Sequence, residues 1–211
     1  MKDKPSPRLH IIFARRNPRA VVFLRGPSDW YHIILWDTAR DTFENGAWFK
    51  GRIYEERCDL SPDGELLIYF ALKNGRWNTS YQGAWTAISR PPWLHALTLW
   101  PEGSTWGGGG CFHDDRAIIL RGSPRAHPDH PLNGVEIIEG SCRREISTPD
   151  IEEAEWSGFD QSGYPVFALH GRIFRRLPKG DKALVDFNGL VPAPSEAPAW
   201  AKTPLPTFTK K

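Results

Sequence analysis

The 211-residue sequence predicts an all-β fold assembled from about four small antiparallel sheets, and three observations carry that expectation. Its apolar residues fall into short runs rich in β-branched and aromatic side chains, the composition of strands. The chain holds 19 glycines and 19 prolines, a density of punctuation that leaves little room for long helices. A common plan also returns at intervals near 50 residues, so the strands belong to repeating units.

The strand-like runs are RLHIIFAR (8–15), AVVFLRG (20–26), YHIILWD (31–37), ELLIYFAL (65–72), AWTAIS (84–89), LHALTLW (94–100), RAIILRG (116–122), GVEIIEG (134–140), YPVFALHG (164–171), GRIFRRL (171–177) and KALVDF (182–187). Each is bounded by Gly, Pro, Asn or Asp. Only IEEAEW (151–156) has helical composition, preceded by Ser147, Thr148 and Asp150 as possible caps, and it is long enough for one or two turns. The stretch 191–211 is rich in proline and lacks apolar periodicity, so it is expected to be an extended tail, strapped down through Trp200 or frayed.

Four segments share one plan, an apolar or aromatic residue, a polar turn and an apolar run: FARRNPRAVVFLRG (13–26), CDLSPDGELLIYFAL (58–72), CFHDDRAIILRG (111–122) and GFDQSGYPVFALHG (158–171). Their turn centres, Asn17, Asp63, Asp115 and Ser162, stand 46, 52 and 47 residues apart. The segments between them have room for two further strands each, giving repeats near 8–49, 53–101, 106–146 and 157–188. Four strands per unit of about 40 to 50 residues is the content of a propeller blade, whereas strands of a sandwich recur every ~8 to 12 residues. The expected architecture is a propeller-like domain over 1–190, closed as a four-bladed ring or open, followed by the tail 191–211. A β-sandwich or barrel is the alternative.

The hairpin CDLSPDGELLIYFA resembles the SPDG hairpin of WD40-like and TolB-like β-propeller repeats, in which the turn joins two inner strands of a blade. IILWDTARDTFENG is similar to the third strand of a WD40 blade, where Leu-Trp-Asp precedes a turn into the outermost strand. The resemblance is clearest over residues 31–72. It implies a propeller whose loops and mouth present a binding surface.

Composition narrows the function classes. A net charge of +2 and a pI near 8.5 give no ground for a nucleic-acid partner, and the pairs Arg15-Arg16, Arg143-Arg144 and Arg175-Arg176 are scattered. The first residues hold too short an apolar window for a signal peptide or a membrane span. Cys58, Cys111 and Cys142 match no zinc spacing, so inert reduced thiols in a cytoplasmic protein are expected.

Two clusters offer metal-competent side chains. In STWGGGGCFHDDRA (104–117), His113, Asp114 and Asp115 follow four glycines; the repeat plan makes the acids a hairpin tip, the role in which Asp is common. In RAHPDHP (125–131), His127, Asp129 and His130 lie on a loop stiffened by two prolines, with few partners elsewhere to complete a site. No nucleophile elbow or cofactor fingerprint occurs, and no cofactor is expected.

Tryptophan is the unusual residue, with 10 copies, too many for one core unless several line contacts between sheets. An exposed minority would suit a binding surface, with Trp93, Trp106, Arg90 and Trp30 the candidates. The function these features favour is a non-catalytic protein–protein interaction module with a protein partner, able to form a homo-oligomer if the ring is open. A metal-dependent hydrolase using either His/Asp cluster and a carbohydrate-binding module using exposed Trp are the alternatives.

Overall fold

The computed structural model describes residues 5–26, 28–73, 80–122, 125–142 and 147–207, in which the apolar runs become four small sheets. The first is a meander of β1 (Arg8–Phe13), β2 (Arg19–Arg25), β3 (Trp30–Asp37) and β4 (Thr42–Lys50). The second contains β5 (Arg52–Ile53), β6 (Asp59–Leu60), β7 (Leu67–Leu72), β8 (Ala84–Ser89) and β9 (Thr98–Pro101). Because β5 and β6 both pair with the same edge of β7, they are one strand interrupted by a single 3-10 turn at Glu55–Arg57.

The third sheet pairs β10 (Gly110–Phe112) with β11 (Ala117–Leu120) antiparallel. Only β12 (Glu136–Ile137) breaks the antiparallel pattern, by joining β11 in parallel. The fourth is the meander β13 (Trp156–Phe159), β14 (Pro165–Leu169), β15 (Arg172–Leu177) and β16 (Gly180–Asp186). A short helix α1 (Ala199–Lys202) follows.

Among the described residues three apolar clusters join the sheets in the order 4–1–2–3. Val21, Phe23, Tyr31 and Ile33 of sheet 1 pack on Leu67, Tyr69 and Ala71 of sheet 2. The alternate residues Ala20, Val22, Leu24 and Trp36 pack instead on Val166, Ala168 and Ile173 of sheet 4. Ile68, Ile88 and Trp100 face Phe112, Ile118 and Val135 of sheet 3. The continuous runs AVVFL and LIYFA are therefore buried on both faces, which is why they do not alternate apolar with polar.

Each of the four recurring turns joins the first two strands of one sheet, and the turns meet. Arg16 N–H donates to Pro62 O at 2.9 Å and Asp63 N–H to Asp115 Oδ1 at 3.0 Å, while the Arg16 guanidinium pairs with Asp115. Arg15 Nη2 donates to Phe112 O at 2.9 Å. Gln161 Nε2 lies 3.0, 2.9 and 2.8 Å from the carbonyl oxygens of Ala14, Asn17 and Arg19. The tips of all four hairpins are thus tied into one polar hub.

Four expectations need correction. Residues 151–155 form a turn, not a helix, and Trp156 already begins β13; Pro149 and the strand that follows leave too few residues for helical hydrogen bonding. The third repeat has no fourth strand among its described residues. The tail is pinned through Leu205, buried between sheets 2 and 3, and through Ala201, while Trp200 stays exposed and the chain forms α1. The cysteines are not all reduced, since Cys111 and Cys142 form a disulfide and only Cys58 is a free, buried thiol. Trp77 and the Arg143-Arg144 pair lie outside the described residues.

The disulfide has a packing role. Ile119 points away from the core shared by sheets 2 and 3, and residues 138–142 cross that uncovered face, with Gly140 close enough for a Cβ to lie 2.6 Å from Ile119 Cδ1. Replacing both Cys111 and Cys142 by Ser should lower the unfolding free energy by about 3–4 kcal/mol, from the loop of 31 residues that the bond closes. Denaturant titration checks the loss, and the unfolded, unreduced wild-type chain should expose one reactive thiol instead of three.

Candidate functional site

At the end of the sheets away from the hairpin hub, strand termini open a charged mouth. Arg8 begins β1 and stands opposite Arg25 at the end of β2. Glu155 and Trp156 lead into β13, and Arg52, Tyr54, Glu55, Glu56 and Arg57 come from the interruption between β5 and β6. These residues surround a cavity of about 360 Å3. His10 and Trp156 also line a more apolar channel of about 480 Å3 beneath it, with Ile12, Phe13 and Gly158.

The interruption explains how charged side chains reach this place. An unbroken inner strand would send apolar side chains into both flanking cores, as β2 does. The sequence Glu55-Glu56-Arg57 lifts the chain out as one 3-10 turn, and the ladder resumes at Asp59. Asp59 is buried, and its Oδ2 accepts the Phe112 N–H at 2.7 Å, linking β6 to β10.

Arg57 then organises the rim. Its guanidinium lies over the rings of Tyr54 and Phe70, which stack on each other with centroids 5.0 Å apart. Nη1 donates to Thr105 O at 2.9 Å and Gly107 O at 2.8 Å. Between those two carbonyls sits Trp106, 94% exposed. The glycines that follow permit this close wrapping: a Cβ on Gly108 would lie 2.3 Å from the Phe70 ring, and one on Gly109 2.4 Å from Arg57 O.

The four candidate binding residues do not line one cavity. Trp106 does not line the mouth itself but sits on the loop that Arg57, a residue of the mouth, holds through Thr105 O and Gly107 O. Trp93 is half-buried after the cis Pro91-Pro92 bond, with its indole N–H enclosed and without a hydrogen-bond acceptor among the described residues. Arg90 donates through Nη1 to Thr203 O and so holds the tail. Trp30 is half-buried edge-on to Trp48, at 6.4 Å between centroids, under the ammonium of Lys50.

Neither His/Asp cluster assembles a metal site; among the described residues no group of three or more His, Cys, Asp or Glu side chains could hold an ion. Asp114 Oδ1 accepts the N–H groups of Arg116 and Ala117 at 2.8 and 2.7 Å, bonds that hold its carboxyl below the usual carboxylate range. Asp115 is committed to Arg16 and Asp63, and His113 is exposed on the tip. His127 Nδ1 accepts the Asp129 N–H at 3.2 Å, and His130 is held by Ala96 O and Tyr81 Oη at 3.0 and 3.3 Å. Asp129 points into solvent.

Sequence reasoning missed the mouth, though one signal was present. Glu55-Glu56-Arg57 stands where the repeat plan requires an apolar inner strand, and charge in such a place marks a departure with a purpose.

His10, between the mouth and the channel, packs edge-on to Phe23 and Trp156 at 6.3 Å. Burial lowers its pKa to about 4, with Glu56 pulling the other way, so the ring is neutral at pH 7. The unfolded chain binds this proton near pH 6.5, so stability is full above that pH and falls as pH drops towards 4. The loss should approach about 3 kcal/mol. Buried His32, whose pKa burial also lowers, adds in the same direction. His10→Gln should flatten the profile of unfolding free energy between pH 6.5 and pH 4, measured by urea titration. No protein-family model and no curated protein matches the chain, which leaves these residues themselves as the guide to function.

Proposed function

We propose that the chain is a non-catalytic protein-interaction module on a four-sheet, propeller-like scaffold, with the rim of the charged mouth as its recognition surface. The meeting of four hairpin tips at one end and the opening of strand termini at the other support a radial arrangement of sheets. The succession of cores in the order 4–1–2–3 supports a ring left open between sheets 3 and 4. That seam gives a second copy of the chain a place to add.

The observation that carries the reading is Trp106. An indole 94% exposed gains nothing for the fold, yet the loop bearing it is clamped on both sides by Arg57. A rigid exposed aromatic beside arginines has the composition of a binding hot spot, and the clamp lowers the entropy lost on binding. Four arginines and three glutamates around the opening supply polar contacts of both signs.

Trp106→Ala should leave the midpoint of thermal unfolding unchanged and weaken partner capture by roughly 30-fold or more, the range of a hot-spot residue. A photoreactive group placed at position 104 should cross-link the same protein from host extract only when Trp106 is present. Quenching of Trp106 fluorescence by soluble glycans, with no protein cross-linked, would favour a carbohydrate ligand instead.

A further inference from the structure

We propose that the cleft between sheets 1 and 2 binds the phosphate group of a small soluble ligand, through the positive field of Arg25, Lys50, Arg52 and Lys73 and a hydrogen bond from Tyr31 Oη. The cleft has a volume of about 560 Å3, ordinary for a small-molecule site. It adjoins the mouth through Arg25 and Arg52 but does not depend on the Trp106 loop.

The topology gathers the cations. β2 ends at Arg25, β4 ends at Lys50, β5 begins at Arg52, and Lys73 follows the last residue of β7. Gly51 makes the tight passage between β4 and β5, because a Cβ there would lie 2.7 Å from both Leu72 O and the Phe49 ring. Asp29 is the only acid among the described residues lining the cleft. Glu55 approaches Arg52 to 3.9 Å without lining it. Arg25, Lys50 and Arg52, at the strand ends, repel one another with Asp29 the one acid among the described lining residues, and an anion in their midst reduces that repulsion.

Two groups stand ready. The Arg25 guanidinium makes no hydrogen bond or ion pair among the described residues, while Lys50 rests 5.9 Å from the centre of the Trp30 ring. Tyr31 is only 1% exposed, and its buried hydroxyl has the Glu55 carboxylate nearby but no well-formed hydrogen bond among the described residues. Burial first, and Glu55 next through its charge and its proximity to the hydroxyl, raise the phenol's pKa against Arg52 and Arg25, so it keeps its proton at neutral pH and can turn from Glu55 to donate to a bound anion. A buried donor beside an unpaired guanidinium suits an oxyanion, whose lone pairs accept from both. Phosphate satisfies the charge excess better than a carboxylate, since it carries up to two negative charges and additional acceptor oxygens.

Calorimetric titration of the full-length protein with pyrophosphate and with ATP, in about 0.15 M salt, tests the assignment. Saturable one-to-one binding is expected, weakened about tenfold or more by Arg25→Gln and by Lys50→Gln. Tyr31→Phe should weaken it severalfold while leaving the unliganded protein as stable as before or more so, because it deletes an unsatisfied buried hydroxyl. Arg172→Gln, which removes an equal charge from an exposed pair with Asp186, should change nothing, and neither should Trp106→Ala. Absence of saturable binding by both ligands up to about 5 mM would overturn the proposal, as would equal weakening by Arg172→Gln.

Discussion

β2 and β7 are each covered on both faces, and a strand in that position must present apolar side chains at consecutive positions. In β2, Val21 and Phe23 serve one core while Ala20, Val22 and Leu24 serve another. In β7, Leu67, Tyr69 and Ala71 face sheet 1, and Ile68 faces sheet 3. A slip of one residue in either strand would exchange the two sets and spoil both cores at once. The double burial therefore fixes the order of the sheets, and with it the positions of everything mounted on their ends.

Among the described residues sheets 3 and 4 each share an apolar core with one other sheet, and local segments of the chain lie on their other faces. On sheet 3 the segment 138–142 crosses Ile119 and is held there covalently. On sheet 4, Phe167 and Phe174 stack at 5.1 Å, Arg176 lies over Phe167, and residues 150–153 run alongside. Arg175 secures the other side through Asp160 and Asp41, both at 2.9 Å and little exposed. Such a pair is costly to break from one side, since the remaining charge would stay buried.

Much of this was legible in the sequence. The all-β class, the four hairpins and their spacing followed from strand composition and from polar turns placed before apolar runs, and Ser61-Pro62-Asp63-Gly64 is such a turn, closed by Ser61 Oγ on the Leu66 N–H at 2.9 Å. The exposure of Trp106 beside the glycines was also anticipated. What escaped was whatever depends on long-range placement. Arg8, Arg25 and Arg52 are ordinary strand-end residues until three strands bring them together, and the pairing of Cys111 with Cys142 requires the face of sheet 3 to be known. The helical composition of IEEAEW and the cap residues before it suggested a helix, but Trp156 already belongs to β13, which leaves too few residues for one.

The glycine run at 107–110 has a consequence for how this surface can evolve. Gly107 alone has ordinary room for a side chain; Gly108 and Gly109 adopt left-handed backbone against Phe70 and Arg57, and a Cβ on Gly110 would press on Ile119 O at 2.6 Å. A profile of tolerated substitutions along this segment would therefore resemble that of a protein interior, although it borders the most solvent-exposed tryptophan in the described chain. Sequence drift can change the identity of residue 106 freely but cannot easily move it, so new specificities would arise by exchanging the side chain on a fixed mount.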